Sequence, residues 1–130
     1  MFSREGKDRR RYKRIKTPFM IRFRAIPKEG GTVPPEWNMV TARDLGAGGV
    51  LFNHDSKIEL ETNLEMKINF PAFEGPIECK GRVIRVEAPR FSGNIYRIAV
   101  IFTEIDEKDK EVLDRTAEEL SERRADKIED

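Results

Sequence analysis

Between Phe19 and Phe102 the chain alternates apolar and polar residues in short runs, and each run stops at residues that favour turns. Side chains on an extended strand point to opposite faces in turn, so a period of two marks strands with one buried face. The first run is 19–26, where Phe19, Ile21, Phe23 and Ala25 share a face and Arg22 and Arg24 lie opposite. A Gly- and Pro-rich loop over 27–35 separates it from a second strand over 38–45. The turn Gly46-Ala47-Gly48-Gly49 leads into a short strand over 50–52, and Leu64, Met66, Ile68 and Phe70 define a fourth that Pro71 ends. The fifth, over 77–86, slips phase at Gly81-Arg82, which predicts a bulge. The sixth, over 96–102, is the most apolar and is expected to be central. No helix-length pattern interrupts these runs, which argues against a parallel βαβ fold.

After Glu104 the period changes. Asp106 suits a helix cap and Asp109 and Glu111 place acids in the first turn, where the helix dipole favours them. Ile105, Val112, Leu113, Thr116, Ala117 and Leu120 form a narrow apolar stripe able to lie on a sheet. The expected organisation is a mobile basic arm over 1–17, a barrel over 18–104, a helix over 105–124 and a frayed polar tail over 125–130. The fold class is all-β with a C-terminal helix, a six-stranded antiparallel barrel of split or Greek-key type.

The net charge of +1 conceals a polar split: eleven basic residues against two acidic ones over 4–28, and twelve acidic against six basic over 104–130. A basic arm of this kind meets something anionic. One cysteine, Cys79, permits no internal disulfide, and with a single histidine, His54, the common cysteine and histidine metal clusters are ruled out. No apolar run has the ~18 residues of a membrane span, and the N-terminus lacks a signal peptide's apolar stretch. The expectation is a cytoplasmic protein without membrane insertion.

Two stretches carry the chemistry. Arg9-Arg10-Arg11-Tyr12-Lys13-Arg14, taken alone, is a solvated basic run, and Asp44-Leu45-Gly46-Ala47-Gly48-Gly49, taken alone, is a glycine-rich turn. The second is no phosphate-binding P-loop, since no Gly-Lys-Ser/Thr and no helix follow it. In this order and about thirty residues apart, however, the pair resembles the PilZ family signature. Arg10-x-x-x-Arg14, with an extra Arg9, is similar to that family's Arg-x-x-x-Arg, and Asp44-x-Gly46-x-x-Gly49 to its Asp/Asn-x-Ser-x-x-Gly. Gly81-Arg82-Val83 resembles its Gly-x-Val strand and 96–102 its last strand, so the likeness covers residues 8 to about 120.

The resemblance implies a receptor for the bacterial second messenger cyclic di-GMP, with no further cofactor and no enzymatic activity. Arg10 and Arg14 would hold a guanine edge and phosphates, Asp44 a guanine on the barrel surface, and Arg9 would favour a stacked pair of ligands. The chemistry fits: guanine O6 and N7 accept from the fork of an arginine, while N1–H and N2–H donate to a carboxylate. Gly49 permits close backbone approach to a flat ligand. The arm would order over the ligand and signal to an effector protein. The sequence departs from the family at Gly46, where the usual serine hydroxyl is missing; one neutral hydrogen bond less costs about two- to twelve-fold in affinity. That departure leaves open an alternative, a PilZ-like interaction module that no longer binds the ligand.

The remaining polar candidates read more plainly. His54 reads as a surface turn residue, Cys79 as an inert core thiol and Trp37 as a packing residue near the barrel mouth. Arg82, Arg85 and Arg97 read as outward strand residues, one of which could meet a second guanine. A nucleic-acid-binding barrel would need several exposed aromatics on a basic sheet face, and only Tyr12 and Trp37 are candidates, which argues against nucleic acid as the partner.

Overall fold

The computed structural model describes residues 14–16, 18–27, 36–70, 74–89 and 93–129, with backbone alone for Arg43 and 121–129. Six strands are present: β1 (Phe19–Ala25), β2 (Asn38–Leu45), β3 (Gly49–His54), β4 (Asn63–Asn69), β5 (Ile77–Glu87) and β6 (Tyr96–Glu104). They are followed by one helix, α1 (Glu107–Glu129). All pairings are antiparallel and the strands close into a barrel in the order β1-β2-β3-β6-β5-β4. Closure leaves no edge strand and no middle one. The expectation that 96–102 is central is therefore replaced: β6 is one of six equivalent staves, with Ile98 and Val100 buried and Arg97 and Ile101 exposed.

Alternation accounts for the interior. Phe19, Ile21 and Phe23 of β1, Leu64, Met66 and Ile68 of β4, and Ile77, Cys79 and Val83 of β5 all point inward. Phe23 stacks against Phe52 with ring centroids 5.1 Å apart. Among the described residues the buried set contains no charged or polar side chain other than the thiol of Cys79. β5 breaks register at Lys80/Gly81 and again at Val83/Arg85, the irregularity expected near Gly81-Arg82. A Cβ on Gly81 would lie 2.5 Å from a Val100 methyl and 2.9 Å from the Ile101 carbonyl, so glycine is required for β5 and β6 to approach.

The helix begins where its capping residue stands. The Asp106 carboxylate accepts a hydrogen bond from the Lys108 backbone N–H at 3.1 Å. Leu113 and Ala117 are fully buried in the barrel's core cluster, with Ile105 and Leu120 packed against its rim. The helix continues to Glu129, beyond the expected end at 124.

A second break lies in β2. Its register against β3 shifts between Ala42 and Asp44, so Ala42 opposes Phe52 and Asp44 opposes Leu51. Simple alternation from the buried Ala42 would turn Asp44 inward and Leu45 outward. The bulge reverses both, leaving Leu45 fully buried and Asp44 on the outer face.

Candidate functional site

Residues 14–16 are seated on the end of β2. Ile15 bridges Leu45 through two backbone hydrogen bonds, of 2.5 and 3.0 Å, and its side chain is completely buried. Burying an isoleucine contributes roughly 1.5–3 kcal/mol, enough to tether this stretch. The arm expected over 1–17 is thus anchored at its C-terminal end. Its remainder through Lys13, with Arg9 and Arg10, lies outside the described residues.

Ile15 inward sets its neighbours Arg14 and Lys16 outward, on either side of Asp44. Arg14 donates from Nε to Asp44 Oδ1 at 2.6 Å, and Lys16 donates from Nζ to Oδ2 at 3.0 Å. Partial burial pushes the Asp44 carboxyl up, but the hydrogen bonds and charges of Arg14 and Lys16 outweigh that and hold it below its ordinary value. Asp44 is therefore a fixed carboxylate. The pair with Arg14 is sheltered, both side chains being 18% exposed, whereas Lys16 is 40% exposed. Of the two partners, Lys16 is the more easily displaced.

Asp44 opens on a surface groove of about 410 Å³ that crosses β2, β3 and β6. Leu51 supplies an apolar floor, Asn53 and Thr41 neutral polar groups, and Lys16 and Arg97 positive charge. The groove thus combines one carboxylate able to accept from a donor pair, flat apolar area and cations.

Gly46 and Gly49 belong to the turn between β2 and β3. Gly46 is buried and donates its N–H to the Gly49 carbonyl at 3.0 Å. A Cβ on Gly49 would collide with the carbonyl of Val100 across β6. Gly49 thus has a packing reason to be glycine that needs no ligand. The structure brings together Arg14, Asp44, Gly46 and Gly49. Sequence reading passed over Lys16, whose signal was its spacing of two from Arg14 across an apolar Ile15, and the structure places Arg97 in the lining of the groove.

Other residues stand apart from the groove. Trp37 lies across the barrel, with Arg24 4.3 Å and Lys67 4.8 Å from its ring centroid. His54 ends β3 as a half-buried residue whose ring meets Phe23 edge-on at 5.2 Å, a packing position where a surface turn was expected. Burial, aided by the charge of Asp109, pushes the Cys79 thiol up to about 12, consistent with an inert core thiol. Among the described residues no cluster of His, Cys, Asp and Glu could hold a metal, and no helix is long and apolar enough to cross a membrane.

The chain is a closed six-stranded β-barrel domain with a C-terminal helix, a basic segment docked on the end of β2 and a carboxylate facing an open groove. The family model of the PilZ domain matches residues 8–119, and the chain belongs to that family, one of cyclic di-GMP receptors and adaptors. No curated protein matches it in sequence. Solved structures match it in fold. The Bacillus subtilis inhibitor of motility MotI/DgrA has a TM-score of 0.70 at 19% identity, covering 88% of this chain and 52% of that one. Apo MrkH of K. pneumonia has 0.69 at 17%, covering 92% and 54%. The PilZ domain of YcgR from Escherichia coli, solved with c-di-GMP, has 0.62 at 15%, covering 94% and 98%. The chain spans about half the length of MotI and MrkH and nearly all of the isolated YcgR domain.

Proposed function

We propose that this chain is a cyclic di-GMP receptor that binds its ligand between the N-terminal arm and the β2–β3–β6 face and passes the signal to a protein partner. One observation carries the reading: the β2 bulge turns Asp44 onto an open groove, where Arg14 and Lys16 keep it ionised. A guanine presenting N1–H and N2–H could replace Lys16 at Oδ2 and use a free lone pair at Oδ1 without displacing Arg14, because a carboxylate offers about four acceptor sites. The solvent-exposed Lys16 contact contributes at most about 1 kcal/mol, so the exchange costs little. Arg14 then stands beside the bound base, and Arg9 and Arg10, farther along the arm, would fold over phosphates and the second guanine. Because Ile15 pins the arm to Leu45, closure would hinge just before Arg14 and reshape the surface that a partner meets. The c-di-GMP bound to the YcgR domain supports this choice of ligand.

Gly46 supports a second reading. Its amide is already used within the turn and it has no hydroxyl to offer, which suits an interaction module that has lost the ligand. Titration calorimetry separates the two readings. Micromolar or tighter binding of cyclic di-GMP, lost in both Arg10→Ala and Asp44→Ala, is expected of the receptor. No heat at millimolar ligand would leave the interaction module.

A further inference from the structure

Arg14 and Asp44, which hold the guanine edge in the receptor reading, stand on the arm and on β2. The groove beside Asp44 continues over β3 to β6, where Arg97 lines its far end. Asp44 opposes Leu51, Leu51 opposes Ala99, and Arg97 is two residues along β6, opposite Asn53. With strands ~4.8 Å apart and ~3.4 Å per residue along them, the two backbones are separated by ~12 Å.

Arg24, Arg82 and Arg85 each face a glutamate, Glu65, Glu61 and Glu87 respectively. Arg97, like Arg22 on β1 and Arg115 on α1, enters no ion pair among the described residues, and of these three only Arg97 lines the groove. Its cross-strand neighbour on β5 is Glu87, but Glu87 is engaged by Arg85 at 3.5 Å. On its other side stands Asn53, an amide with donors of its own. The two ends of the groove therefore differ: a carboxylate accepts at the β2 end, and an uncompensated guanidinium donates at the β6 end. Between them lies Leu51.

We propose that Arg97 forms an oxyanion subsite of this groove, taking a phosphodiester oxygen of the ligand whose guanine edge is held at Asp44. The inference deepens the receptor reading and rests on it. Guanidinium–phosphate contacts are charge-assisted, and a phosphate, unlike a guanine edge, also accepts an ammonium as a point charge.

The test is calorimetry of the full chain with cyclic di-GMP, comparing wild type with Arg97→Ala, Arg97→Lys, Asp44→Ala and Arg22→Ala, the last an exposed cation on β1. Thermal unfolding of each variant shows that it folds. Arg97→Ala is expected to bind about tenfold more weakly, Arg97→Lys within about threefold of wild type and Arg22→Ala within about twofold. Equal loss in Arg97→Ala and Arg97→Lys would overturn the phosphate assignment in favour of a base edge. Wild-type affinity in Arg97→Ala, beside lost binding in Asp44→Ala, would overturn the subsite and leave the receptor reading standing. No binding by wild type would overturn both.

Discussion

β4 and β2 both pair with the same strand, β1, and follow opposite rules. In β4 the alternation never falters: Leu64, Met66 and Ile68 fill the core while Glu65 and Lys67 face outward. In β2 it breaks after Ala42, and the break delivers Leu45 to the core and Asp44 to the groove. An unbroken strand offers the outer face only every second residue, so with Ala42 buried it would turn Asp44 inward and Leu45 outward. The bulge resolves the conflict and places Asp44 at the groove. The irregularity in β5 is of another kind, since around Gly81 it lets two strands approach and presents no ligand group.

The contrast can be broken by substitutions that act on one strand and spare the other. The largest effect is expected in β4. Ile68→Ala leaves a cavity in a completely buried position and should cost about 2–5 kcal/mol of stability in denaturant unfolding. Affinity per folded molecule for cyclic di-GMP should stay at the wild-type value; a matching loss of affinity would mean that β4 takes part in the site.

Gly49→Ala sharpens the separation of packing from binding. Its added methyl meets the Val100 backbone carbonyl, so β3 and β6 must part locally, at a cost of about 1–3 kcal/mol by chemical denaturation. That loss should appear without any ligand present. Full ligand-free stability combined with lost binding would return Gly49 to a role against the ligand.

The smallest effect is electrostatic and belongs to Asp44. Its carboxyl is held below the ordinary value of 3.8 in the folded protein. A depressed folded value adds stability that is present above the unfolded value and lost as pH falls through the folded one. The contribution should be complete above about pH 5 and should fade below it, amounting to about 1 kcal/mol for a pair this close to the surface. Asp109, which burial and the nearby Asp106 push upward, acts with the opposite sign. The difference between wild type and Asp44→Asn in acid denaturation isolates Asp44. A constant difference down to pH 3 would contradict the ion pairs with Arg14 and Lys16.

Much of this architecture is legible in residue order because strand alternation and helix capping are local. The β2 boundaries, the inward set of β4, the slip near Gly81 and the cap at Asp106 all follow from neighbours in sequence. Arg14 and Asp44 were legible as site candidates through the resemblance of their motifs to those of the PilZ family, and the fold brings them to 2.6 Å. What escaped depends on pairing between distant strands. The β2 bulge is visible only against β3, although burial of both Ala42 and Leu45, three positions apart, is its sequence trace. Lys16 acquires meaning only once Ile15 is seen to dock on Leu45. Arg97 looks like any outward strand residue until its glutamate neighbour is found paired with Arg85.

The central claim, that the bulged face of β2 with β3 and β6 binds cyclic di-GMP while the regular face of β4 does not, is tested most directly by backbone amide NMR during a ligand titration. The account expects the amides of Arg14 to Lys16, Asp44, Leu51 and Arg97 to shift and saturate together, with those of Leu64 to Asn69 unmoved. Shifts confined to β4 and the surroundings of Trp37, or no shifts at millimolar ligand, would contradict it.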